Sequence, residues 1–198
     1  MLKRFWQFIV QPTSRWSLGL LILIGIIFGL ILSISFDATM HATSTDEFCI
    51  RCHEINDNVG QEVIGTTHDI NATGIKATCA SCHVPKAFGP MMVRKVESLR
   101  EIYHHFKGTL DTPEKFEDHR LRMANRVWHE MQANDSRECR TCHTPEKMVP
   151  ELQSPKAVEF HEDALVRGKT CIDCHKGLVH KLPRELIEEA ANPGKATE

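Results

Sequence analysis

No cysteine in this chain is left over for a disulfide or a lone reactive thiol. All eight fall into four copies of one segment, Cys-x-x-Cys-His: Cys49 to His53, Cys79 to His83, Cys139 to His143 and Cys171 to His175. A disulfide scaffold is thereby excluded. The chain also has no basic patch interleaved with aromatics, and its formal charge is only −2, so nothing points to nucleic acid. Apolar residues make up 41% of the chain, and part of that share sits in one N-terminal run. The remainder is thin for a conventional core, so something other than side chains has to supply it.

The cysteine spacing has a chemical reason. Two cysteines three residues apart can each form a thioether to one porphyrin, which holds the next histidine beneath the iron as an axial ligand. Zinc knuckles use the same Cys-x-x-Cys pairs. Zinc, however, gives no reason for a histidine after every second cysteine. The reading is four covalently bound haem c groups. Their thioethers form at Cys49, Cys52, Cys79, Cys82, Cys139, Cys142, Cys171 and Cys174, and their proximal ligands are His53, His83, His143 and His175. About 40 residues then serve each haem, and the porphyrins themselves are expected to form much of the core.

From Leu18 to Phe36 nineteen residues run without a charge, enough to cross a bilayer as a helix. Lys3, Arg4 and Arg15 precede the run and Asp37 follows it, which places the N-terminus in the cytoplasm. Trp6 and Trp16 suit an interfacial belt. The run is long for a signal peptide, and Ala38 to His41 offers no small-x-small cleavage site, so an uncleaved anchor is expected. The organisation that follows is a cytoplasmic stretch (1–17), a transmembrane anchor (18–36), a periplasmic haem domain (37–190) and a flexible tail (191–198). The location is the bacterial inner membrane, crossed once.

Internal duplication organises the haem domain. Cys49 and Cys79 are 30 residues apart with His68 between them; Cys139 and Cys171 are 32 apart with His161 between them. Gly74 and Gly168 each separate the lone histidine from the next motif. The repeat predicts two dihaem modules in a mainly α fold of helices and loops with little or no sheet. His68 and His161 are expected to do the same job as sixth ligands of an iron, with His180 a third candidate.

One helix is predicted over Lys86 to Phe106, from Met92, Val96, Leu99, Tyr103 and Phe106 at three- and four-residue steps. Thr112, Pro113 and Glu114 announce another, running to about Ala133. His41, His119 and His129 read as solvated. His104 and His105 read as favouring the helix dipole at the end of the first helix rather than an iron.

The stretches HATSTDEFCIRCH, GIKATCASCHVP, DTPEKFEDHR, NDSRECRTCH and TCIDCHKGLVHKLP, in this order behind one anchor helix, resemble the NapC/NirT family of membrane-bound quinol dehydrogenases. The resemblance covers nearly the whole chain. It implies that electrons pass from menaquinol or ubiquinol, through the haems, to a periplasmic reductase. It also implies distal ligands at His68, His161 and His180, and a quinol contact beside the first haem at Lys95 and Glu101. A homo-oligomer is compatible with it. In the branch serving pentahaem nitrite reductase, a methionine two residues after the first motif's histidine ligates haem 1. Ile55 stands there in this chain, which favours His53 as the ligand and the branch serving nitrate reductase. Several members carry a histidine where this chain has Lys86. The sixth position of haem 1 is thus left to a vacancy, a lysine or a remote histidine.

Residue chemistry leads the same way without the analogy. The anchor holds no histidine, so no b-type haem can sit between the leaflets, and electrons from a lipid-soluble donor must enter at the surface. Motif one lies nearest the anchor in sequence. A quinol gives up two protons with its two electrons, so a side chain near its ring must accept a proton. Lys95, Glu97 and Glu101 lie on the nearest predicted helix, with Glu97 read as solvated. A catalytic multihaem reductase would be hinted at by a variant such as Cys-x-x-Cys-Lys, and all four motifs end in histidine. The closest rival is a protein-to-protein electron relay without its own quinol site.

Overall fold

In the computed structural model of the chain, the described residues are Lys3 and 17–192. Arg4, Trp6, Arg15 and Trp16 ahead of the apolar run, and the tail around Gly194, lie outside them. The chain divides into two units, Met1–Thr43 and Ser44–Glu198.

The first unit contributes α1, Leu18–Ala42. Ser17 caps it by accepting the Leu20 N–H at 3.3 Å. None of its residues is buried, and it is apolar all round, as a helix facing lipid would be. Its 25 residues span about 37 Å at the α-helical rise, against a hydrocarbon core of about 30 Å. The apolar run stops at Phe36, but the helix continues to Ala42 because Asp37–Ala42 contains no glycine or proline to break it.

The second unit is a string of short helices: α2 (Asp46–Cys49), α3 (His53–Asn56), α4 (Val59–Val63), α5 (Cys79–His83), α6 (Phe88–Glu97), α7 (Leu99–Phe106), α8 (Pro113–Ala133), α9 (Arg137–Arg140), α10 (Pro155–Val166), α11 (Cys171–Cys174) and α12 (Arg184–Ala191). Two 3₁₀ turns, Pro145–Lys147 and Pro150–Leu152, precede α10. No strand occurs among the described residues, and the fold is mainly α as expected.

Helix α8 matches its predicted limits: Thr112 accepts the Lys115 N–H at 3.3 Å and Pro113 sits at N1. The single helix predicted over Lys86 to Phe106 is instead two. It starts only at Phe88, after an extended Ala87, and breaks at Ser98. The Ser98 hydroxyl donates to the Lys95 carbonyl at 2.7 Å, a local bond that competes with the helical ladder and bends it. Apolar periodicity continues across the break, which is why the pattern alone concealed it.

Few apolar side chains are buried among the described residues: Phe116 and Ile172, with Pro85 and Pro183. Polar groups do much of the tying. Arg120 of α8 is buried and donates to both carboxylate oxygens of Glu62, at 2.7 and 3.1 Å, and to Glu117 at 2.6 Å. Glu62 also accepts the Lys181 N–H at 3.0 Å. One guanidinium and one carboxylate therefore clamp α4, α8 and the segment after α11.

Candidate haem centres

The four motifs open or straddle short helices, several of which are capped locally. Thr78 and Ser81 form a reciprocal capping box at α5, and Thr170 and Asp173 do so at α11. Gly74 and Gly168, just upstream, both take the left-handed conformation (φ +70° and +63°), turning the chain into the helix that carries the next cysteine. Repeated glycines thus produce repeated geometry.

Neighbouring motifs are joined in series. Asp46, in α2, accepts the Cys79 N–H at 2.8 Å and so fastens motif two to motif one. Helix α5 packs on α9, bringing motif two to motif three. The Ser136 hydroxyl accepts the Ile172 N–H at 3.2 Å and fastens motif four to motif three. Ser136 is 1% exposed, and with Asp135 it holds a left-handed backbone uncommon for residues other than glycine. Arg140 stabilises that turn by donating to the Asp135 carbonyl and carboxylate, each at 2.9 Å. The sequence marked this turn only as a lead-in; its role as a junction required the fold.

Each proximal histidine faces one other imidazole. Ring centroids lie 5.9 Å apart for His53 and His105, 6.2 Å for His143 and His68, 6.2 Å for His83 and His180, and 5.9 Å for His175 and His161. An iron held between two imidazole nitrogens at about 2 Å each separates the ring centres by roughly 6 Å. The residues present therefore fit haem c, in ligand type and in spacing.

The pairs do not follow the duplication. His161 faces the motif of its own half, whereas His68 faces motif three in the other half, and His180 faces motif two. His68 and His161 are thus equivalent in sequence position but not in partner. His104 behaves as a helix-end histidine, its Nδ1 3.0 Å from the Thr109 hydroxyl. His105 departs from the dipole reading, since its ring is turned to His53. The signal for it was weak, one of two adjacent histidines at a helix end. His41 pairs loosely with Asp37 at 3.7 Å, His119 Nδ1 lies 2.9 Å from the Lys115 carbonyl, and His129 lines a surface groove; none belongs to a facing pair.

Surroundings tune the rings. Burial pushes the His83 imidazole down to about 4, with His180 and Arg94 adding to the effect. Burial likewise lowers His180. Both are kept neutral, the form that ligates a metal. His105 Nδ1 contacts Glu54 Oε1 at 2.7 Å, and His161 Nδ1 contacts Gln153 Oε1 at 2.6 Å. In each case the Nδ1–H donates to the oxygen and Nε2 is left as the ligand.

Lys95 lies beside the first motif, its Nζ donating to the Ser44 hydroxyl at 2.9 Å. Burial lowers the affinity of its amine for a proton, and Arg94 adds to the effect. Glu101 accepts from Arg94 Nη2 at 2.7 Å. Lys86 is exposed.

Four Cys-x-x-Cys-His segments in series, each with an opposed imidazole, define a multihaem c-type cytochrome. The sequence pattern of the NapC/NirT cytochrome c family, N-terminal region, matches residues 11–185, and the chain belongs to that family. It is similar to the cytochrome c-type protein NapC of Escherichia coli (strain K12), with 45% identity over 92% of this chain and 91% of the relative. The denitrification system component NirT of Stutzerimonas stutzeri is 46% identical over 90% and 89%. The cytochrome c-type protein TorC of Escherichia coli (strain K12) is 38% identical over 92% of this chain but 47% of its own length. No solved structure gives a significant match. As a member of this family the chain is an electron-transfer cytochrome carrying covalent haem c.

Proposed function

We propose that the protein is a tetrahaem quinol dehydrogenase, anchored in the inner membrane by α1 with its N-terminus in the cytoplasm and its haem domain in the periplasm. It oxidises menaquinol or ubiquinol and delivers the electrons to a periplasmic terminal reductase, with a nitrate reductase the first candidate from its resemblance to the NapC-like branch. The observation that carries the reading is the set of four opposed imidazole pairs on motifs joined in sequence order. Such an arrangement suits a one-dimensional relay with one entry and one exit.

Haem c, when bound, supplies a one-electron couple at each centre. The chain's own residues do the rest. Two cysteines of each motif would tether one macrocycle, and His53, His83, His143 and His175 would ligate the irons. His180, His68 and His161 would complete the ligation at motifs two, three and four, so that the halves of the duplication would be interlocked rather than juxtaposed as two independent dihaem modules. Lys95 and Glu101, on the two helices after motif two, bind the quinol and receive its protons. A partly buried amine suits the first task, because its lowered proton affinity lets it exchange a proton with a quinol hydroxyl. Arg94 holds the Glu101 carboxylate in one position.

Anaerobic stopped-flow mixing of the detergent-solubilised protein with a reduced menaquinol analogue tests the proposal. Fast reduction of the haem α-band, slowed at least tenfold in Lys95→Ala, is the expected result. Haems reduced by dithionite but not by quinol would favour a protein-to-protein relay.

A further inference from the structure

We propose that His105 is the sixth ligand of the haem carried by the first motif, and that Glu54 is the positioning carboxylate that aims it. The inference rests on the tetrahaem reading and deepens it. Motif one has no partner among the histidines expected from the duplication, since His68, His161 and His180 face the other three motifs. His105 fills that place at the same separation, 5.9 Å, as the His161–His175 pair. Its nitrogen, the Cys52 sulfur and a Glu54 oxygen lie within 4.8 Å of one another, so the ring reaches the motif's second cysteine as well as its histidine.

The neighbouring candidates make no such approach to His53. His104 points to Thr109, Lys86 is exposed, and Ile55 has no donor atom.

Glu54 supplies the aim. It follows His53 directly and is 6% exposed, and its Oε1 accepts from His105 Nδ1 at 2.7 Å while lying 3.5 Å from His53 Nε2. Its second oxygen is buried without a hydrogen-bond partner. A carboxylate kept in so dry a place is costly unless it serves a neighbour. The acceptor for the histidine that faces the fourth motif is a neutral amide, Gln153. An anionic acceptor makes an imidazole a stronger donor to iron than an amide does, and stabilises the oxidised state. The entry haem is therefore closed on both faces, and quinol must pass its electrons to the porphyrin edge rather than bind iron. His105 also lies on α7, the helix that carries Glu101, and so staples the quinol-binding segment to the haem it serves.

The test uses the full-length protein, oxidised, with haem content checked by pyridine haemochrome and spin state read by electron paramagnetic resonance. Wild type is expected to hold four haems, all low-spin, and to bind no carbon monoxide when reduced. His105→Ala is expected to keep four haems, turn one of them high-spin, bind one carbon monoxide per four haems and recover low spin on adding imidazole. Glu54→Gln is expected to remain low-spin with one of four reduction potentials shifted upward.

A high-spin haem in wild type would overturn the assignment without recourse to any variant. So would His105→Ala that stays wholly low-spin with four haems. A high-spin haem in Glu54→Gln, with His105→Ala unaltered, would make the carboxylate the ligand and overturn it too. Fewer than four haems in wild type would overturn the tetrahaem reading beneath it.

Discussion

Burial brings the His83 imidazole down to about 4, so its ring stays neutral, with a lone pair able to ligate, well into acid pH. Residue chemistry of this kind was legible in advance for the motif residues, because thioether bonding and proximal ligation are both encoded within five consecutive positions. The imidazoles that face the motifs were legible as a set but not as pairs. Nothing local to His68 says that it meets His143, since that contact forms only when the two halves fold together. His105 was harder still, because a histidine at a helix end has an ordinary explanation. The account predicts that His68→Ala and His161→Ala each convert one haem to high spin, read by electron paramagnetic resonance; a wholly low-spin spectrum would remove that residue from the ligand set. Asp173 gives a pH-dependent test. The Thr170 N–H holds its carboxyl below the ordinary value, with Gln132 assisting, so its contribution is present above that ordinary value and is lost as pH falls through the lowered one. Asp173→Asn should therefore lower the melting temperature at pH 7, and the difference from wild type should shrink as pH falls below the ordinary carboxylate range.

Helices in this protein are fixed by their ends and by polar clamps more than by an apolar core. Thr112 and Pro113 made the start of α8 readable, and replacing Thr112 by Ala should cost about 1 kcal/mol in a denaturant titration. The break at Ser98 was unreadable because serine is tolerated within helices and the apolar spacing runs through it. The clamp between Arg120 and Glu62 was equally hidden, being a contact between α8 and α4 with no sequence signature. Both side chains are buried, so Arg120→Met leaves Glu62 without its partner and should cost roughly 3–5 kcal/mol. The same change should loosen His180, whose Nδ1 lies 3.7 Å from Glu62. Removing Glu62 and Arg120 together should cost less than the sum of the single replacements, as a double-mutant cycle would report.

On the scale of the whole molecule, two features of the sequence carry the account: an uncharged run long enough to anchor it, and four haem motifs that leave no cysteine over. The duplication was visible as well, yet folding uses it asymmetrically, with the imidazoles that face motifs two and three drawn from opposite halves. Such crossing makes the haem domain cooperative, and loss of one haem attachment, as in Cys142→Ala, should lower the stability of both halves in a single transition rather than of one half alone. The central claim is that this one chain carries electrons from the quinol pool to a soluble acceptor. The most direct test reconstitutes it in vesicles with menaquinol and adds a periplasmic nitrate reductase with nitrate outside, following the haem α-band. The account predicts reduction by the quinol, then reoxidation only when reductase and nitrate are both present. Haems that stay oxidised in the presence of menaquinol, yet are fully reduced by dithionite, would contradict it.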